Sequence, residues 1–190
     1  FFLPAQTQSH TFSLNTSKLI PFASTNVEVF GSYDRSNYLN VVNSSELREN
    51  TQNTVLGMLK LGTAFDFPFN LFNETNYTDS RAKSEEGETF VNQSLSNRFE
   101  VVFKPKSKGR FLVKTSSELF IPDLQNQSNS FHFIDIRASY NTEKFEYSLL
   151  FQNLLNENNF SQNFVSDFST TIYSNNLQPR LFLIGISYSF

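Results

Sequence analysis

The sequence predicts an all-β chain, an antiparallel transmembrane β-barrel segment of about nine strands with short periplasmic turns and long extracellular loops. Three observations predict it. Apolar side chains recur with period 2, as successive residues of a strand point to opposite faces. Short and long connections alternate along the chain, as they do in outer-membrane barrels. The composition suits a wall with one oily and one wet face.

That composition is unusual. The 190 residues include 23 Phe and 7 Tyr but no Trp, no Cys and one Met. Charged residues make up 17%, against roughly 25% in an ordinary soluble domain. Asn, Ser, Thr and Gln take their place. The net charge of −3 argues against nucleic acid as a partner, for which a basic surface is expected. Without cysteine there is no disulfide, iron–sulfur or zinc–thiolate chemistry. No apolar run approaches the roughly 20 residues of a membrane-spanning helix, and no segment reads as an amphipathic helix.

Nine segments alternate. The first, about 9–18, aligns Phe12, Leu14 and Thr16, and the second, about 25–35, aligns Val27, Val29 and Tyr33. The third (about 53–66) carries Val55, Leu59, Leu61 and Phe65, and the fourth (about 69–79) carries Leu71 and Tyr77. In the fifth (about 91–104), Leu95, Phe99, Val101 and Phe103 oppose Asn92, Ser94, Ser96, Arg98 and Glu100. In the sixth (about 109–120), Phe111, Val113 and Leu119 oppose Lys114, Ser116 and Glu118. The seventh (about 130–141) sets Ile134, Ile136, Ala138 and Tyr140 against Asp135, Arg137 and Ser139. The eighth (about 144–153) sets Phe145, Tyr147, Leu149 and Phe151 against Glu146, Ser148 and Gln152. The ninth (about 179–190) puts Phe182, Ile184, Ile186, Tyr188 and Phe190 on one face, opposite Leu181, Leu183, Gly185, Ser187 and Ser189.

Short connections are expected at 19–24, 67–68, 105–108 and 142–143, and long ones at roughly 36–52, 80–90, 121–129 and 154–178. With the C-terminus on the periplasmic side, every short connection falls on that side. Phe65, Phe67, Phe69, Phe103, Phe111, Tyr140, Phe145, Tyr188 and Phe190 gather near the same strand ends, as an interfacial girdle would. A soluble β-sandwich also alternates, but nothing in it requires the short–long rule.

Charged residues opposite the apolar face are the candidate functional set, expected to line the lumen: Glu28, Lys60, Arg98, Glu100, Lys114, Glu118, Asp135, Arg137 and Glu146. On a lipid-facing position such a charge would cost about 2–4 kcal/mol near the bilayer midplane. Catalytic signals are thin, and no enzymatic activity or cofactor is expected. His132 is three residues from Asp135, an odd offset that places the two on opposite faces of a strand. Gly57 to Gly62 lacks the Lys-Ser/Thr of a phosphate loop. Lys104, Lys106, Lys108 and Arg110 crowd one short turn, where a solvated turn and an acidic periplasmic contact both remain open. Phe160, Phe164, Phe168 and Tyr173 lie in the last long connection, where they could meet a surface ligand or fold back over the rim.

Two stretches carry a resemblance. Phe151-Gln-Asn-Leu-Leu-Asn-Glu-Asn-Asn-Phe160 and Asn176-Leu-Gln-Pro-Arg-Leu-Phe-Leu-Ile-Gly-Ile-Ser-Tyr-Ser-Phe190 resemble the closing strands of TonB-dependent receptors, the Bacteroidetes type above all. Gln178 stands where that family commonly has arginine. The Leu19-Ile-Pro-Phe22 turn and the Val41-Val-Asn43 segment fit more loosely.

The resemblance implies the final nine strands of a larger, plug-filled barrel in the outer membrane of a Gram-negative bacterium. Such a barrel imports a scarce nutrient with energy from the TonB complex, which acts through the plug. Barrel-assembly machinery would read the aromatic-ended last strand, and a lipoprotein at the surface is left open as a partner. A small self-contained outer-membrane barrel, acting as a pore or adhesin, is the rival reading, with a soluble β-sandwich binding module behind it.

Overall fold

A computed structural model describes residues 7–41, 47–84, 87–105, 110–125, 129–165 and 169–189. Eleven strands follow in chain order: β1 (Gln8–Ile20), β2 (Thr25–Val41), β3 (Leu47–Thr63), β4 (Phe69–Ser84), β5 (Thr89–Phe103), β6 (Arg110–Ile121), β7 (Phe131–Asn141), β8 (Phe145–Gln152), β9 (Asn159–Val165), β10 (Thr170–Asn176) and β11 (Leu181–Tyr188). Nine form one antiparallel sheet in the order β1-β2-β3-β4-β5-β6-β7-β8-β11. β9 and β10 form a separate hairpin. Only a 3-10 turn over Pro21–Ala23 is helical among the described residues, and Ser24 leaves it with φ 43.

The meander keeps one parity throughout. Phe12, Tyr33 and Val55 are directly opposed across β1, β2 and β3, and Leu71, Val101, Thr115, Ile136, Phe151 and Phe182 are opposed across β4 to β8 and β11. That second row begins near the short-turn end of β4 and finishes at the opposite ends of β8 and β11. A ladder so sheared has the register stagger of tilted strands. The sheet itself is not closed. β1 and β11 are its edges, so a barrel is not seen within this chain.

There is almost no interior. The accessible surface is 13348 Å², where a compact soluble monomer of this mass would show about 9,300 Å². Among the described residues Phe131 is the one buried hydrophobic side chain. Ile184 and Ile186 are about two-thirds exposed, and Phe12 more so.

Three expectations are corrected. The connections expected over 36–52 and 80–90 are largely strand, because β2 runs to Val41, β3 starts at Leu47, and β4 and β5 run to Ser84 and from Thr89. Polar and charged residues are interspersed on both faces there, with Leu39, Val41 and Leu47 scattered among them, so hydropathy no longer marks a strand that hydrogen bonding still continues. The third segment stops at Thr63, not 66, and Phe65 lies in the turn, stacked on Phe67 at 4.6 Å. The stretch 154–178 is not a plain loop but contains the β9–β10 hairpin.

Candidate functional site

The two faces of the sheet differ sharply. On the polar face, five charges stand directly opposite one another across five strands: Glu28, Lys60, Glu74, Arg98 and Glu118. Their signs alternate, the arrangement in which every cross-strand neighbour attracts. Lys60 Nζ lies 3.8 Å from Glu74 and Arg98 Nε 3.4 Å from Glu118. Arg98 also binds Glu100, which Lys114 contacts from the other side at 2.8 Å. The Glu100 side chain is only 10% exposed, so it depends on both cations.

All nine expected residues lie on this face. Asp135 stands opposite Ser116, Arg137 opposite Lys114 and Leu150, and Glu146 opposite Asn141 and Ser187. Glu74 was missed. It sits between Leu71 and Tyr77 on the segment with fewest apolar markers, and its parity, opposite to theirs, was the available signal.

The terminal-strand residues Phe182, Ile184, Ile186 and Tyr188 lie on the other face, while Phe190 lies outside the described residues. So do Lys106, Lys108 and Phe168. Along the short-turn end, this face carries a row of touching rings. Phe69 meets Phe103 at 4.6 Å, Phe103 meets Phe111 at 6.3 Å, Tyr140 meets Tyr147 at 6.5 Å, and Phe145 meets Tyr188 at 5.0 Å. Register joins the pieces, with Phe111 opposite Tyr140. From Phe103 to Leu95, β5 covers about 26 Å along the strand at roughly 3.3 Å per residue. At the strand tilt of a barrel that projects to about 20 Å across the bilayer, the larger part of the roughly 25 Å apolar band of an outer-membrane barrel.

No family model, curated protein or solved structure matches this chain.

The hairpin crosses the polar face at the end opposite the aromatic row. Phe160 packs on Phe131 at 4.9 Å and Phe120 at 5.7 Å. Asn92 of β5 clamps the hairpin tip, donating to the Val165 carbonyl at 2.9 Å and accepting from the Val165 N–H at 3.2 Å. Of the two options for the connection's aromatics, Phe160 folds back. Phe164 and Tyr173 stay about half exposed. Beneath the hairpin is a groove of about 490 Å³, floored by Glu74, Ser96, Arg98 and Glu118 and walled by Phe120, Phe133 and Phe160.

The Asn153-Leu-Leu-Asn156 motif has a structural task. Asn153 is buried with φ 53, a left-handed conformation that Asn tolerates. Its side chain donates to the carbonyls of Glu157 and Gln178, and its N–H donates to the Asp135 carboxylate at 2.8 Å. Asn156 accepts from the Arg180 N–H at 3.0 Å. The motif thus fastens the end of β8 to the start of β11. His132 lies on the apolar face opposite Leu119, bonded to Ser117 at 2.8 Å and away from Asp135. Among the described residues no group of three His, Cys, Asp or Glu side chains is placed to hold a metal ion.

Proposed function

We propose that this chain is part of the barrel wall of a TonB-dependent outer-membrane receptor, which imports a scarce nutrient in a Gram-negative bacterium. The observation that carries the reading is the contrast between faces: apolar side chains exposed from edge to edge and rimmed by rings on one, an alternating charge row on the other. A soluble protein would have to cover such an apolar face, whereas lipid needs no cover. The polar face then lines the lumen against water and a plug. The motifs at Phe151–Phe160 and Asn176–Phe190 direct the reading to this family rather than to barrels in general. In it, strand β11 closes the barrel after assembly by the barrel-assembly machinery, the TonB complex drives transport through the plug, and surface loops meet the nutrient or a lipoprotein.

The test is fractionation of the full-length protein followed by binding to the periplasmic domain of TonB. A heat-modifiable outer-membrane species that binds TonB is expected. An outer-membrane species that ignores TonB would make it a self-contained pore or adhesin. A species soluble without detergent would make it a β-sandwich module.

A further inference from the structure

Just past the apolar band, on the side of the β2–β3 and β4–β5 connections, the lipid-type face becomes cationic. Phe12, Tyr33 and Val55 close the band on β1–β3, with Asp79 in the same row on β4. One same-face step further, His10, Arg35, Asn53 and Arg81 stand directly opposite one another across β1 to β4. Lys83 follows on β4, opposite Thr51. Arg35, Arg81 and Lys83 are exposed.

One of these cations is held in place. Arg81 donates to Asp79 through Nε at 3.0 Å and Nη2 at 2.8 Å. Asp79 also accepts from Gln93 at 2.8 Å and Tyr77 at 3.3 Å. Its side chain is 10% exposed while that of Arg81 is 58% exposed. A carboxylate this enclosed, at the edge of an apolar surface, fixes the guanidinium from below. Three of the five guanidinium N–H donors stay uncommitted to the fork. Arg35 lies two strands away, about 10 Å, a span suited to one or two phosphate groups. Tyr33 donates to the Asn53 oxygen at 2.8 Å, which leaves the Asn53 amide nitrogen as a further donor between the arginines. Among the described residues, the other acidic group on this part of the face, Glu49, lies one same-face step beyond Thr51.

We propose that this rim binds the phosphate groups of an anionic lipid headgroup in the leaflet on the side of the β2–β3 and β4–β5 connections. Arg35 and Arg81 are the contacting residues, Lys83 reinforces them, and Asp79 is the positioning residue. The proposal rests on the outer-membrane reading, in which that leaflet is the outer one and its phosphorylated lipid a glycolipid. Basic residues at a membrane boundary recognise anionic headgroups, and the arginine fork suits phosphate geometry.

The experiment titrates diphosphorylated lipid A into the full-length protein in detergent and counts bound lipid by native mass spectrometry. Insertion into phosphatidylcholine vesicles is measured in parallel. Arg35→Gln and Arg81→Gln should each weaken lipid A binding about fivefold, and the double variant more than tenfold. Lys18→Gln, a cation on the same face at the opposite boundary, should change nothing. Asp79→Asn should also weaken binding, although it makes the rim more positive; stronger binding would overturn its positioning role. Wild-type affinity in both arginine variants, or an equal loss in Lys18→Gln, would overturn the site. Competition by excess inorganic phosphate would replace the lipid headgroup with a free anion and overturn the lipid assignment. If the protein inserts into vesicles but ignores lipid A, this inference alone fails. If it does not insert at all, the membrane reading fails first.

Discussion

The two faces of one sheet are built from the same strands and differ only in parity, yet they obey opposite rules. On the apolar face, neighbours are matched by contact between rings and aliphatic chains, and charge is absent from most of the band. On the polar face, the row from Glu28 to Glu118 is matched by charge, and one acid, Glu100, is enclosed by Arg98 and Lys114. The difference teaches that the surroundings, and not a core, select residues here. A soluble sheet hides its apolar face under a second layer, whereas this one leaves it bare and organises its polar side.

That comparison can be broken most forcefully by moving a charge across it. Leu59→Arg, in the middle of the apolar face, should cost about 2–4 kcal/mol of folding in liposomes. Ser96→Arg, on the polar face, should cost well under 1 kcal/mol. Urea unfolding of the full-length protein checks both, and equal costs would erase the distinction.

A smaller effect is expected inside the charge row. Arg98→Gln removes one of the two cations beside Glu100 and should cost about 1–2 kcal/mol. A double-mutant cycle with Lys114→Gln should show coupling, since both serve one carboxylate. Additive losses would mean that the row is a set of independent surface charges.

How much of this was legible in the sequence follows from the same contrast. Where one face is apolar and the other polar, alternation is strong, so the nine strands of the main sheet and the face of every candidate charge are readable directly. Where polar residues stand on both faces, it vanishes. That is why the extensions of β2 to Val41 and β4 to Ser84 carry no strand signal in the sequence. It is also why the β9–β10 hairpin went unseen: Phe160, Gln162 and Phe164 alternate with Ser161, Asn163 and Val165, which mixes polarity on both sides. Glu74 completes the charge row only once register is known, and the buried role of Asn153 depends on contacts 18 to 25 residues away.

The hairpin gives a gentler test. Phe160→Ala removes the ring seated on Phe120 and Phe131 and should loosen the hairpin by about 1 kcal/mol. Hydrogen exchange should then rise over 159–176 while the nine-stranded sheet keeps its protection. Faster exchange throughout would make the hairpin part of the wall rather than a separate strap. The smallest effect is expected at Gly185, where a Cβ would stand 2.5 Å from the Ser148 hydroxyl. Gly185→Ala should cost under about 1 kcal/mol, because Ser148 can rotate away. Adding Ser148→Ala should restore wild-type stability.

The most direct measurement of the central claim is a spin-label scan of β5, one residue at a time from Ser94 to Phe103, in the full-length protein in lipid vesicles. Oxygen, concentrated in lipid, should relax labels at 95, 97, 99, 101 and 103, and a water-soluble nickel chelate should reach those at 94, 96, 98, 100 and 102. A period-2 alternation of opposite phase for the two probes is the predicted result. Labels on both faces that respond alike to the water-soluble probe would contradict it, and with it the assignment of this sheet to a membrane.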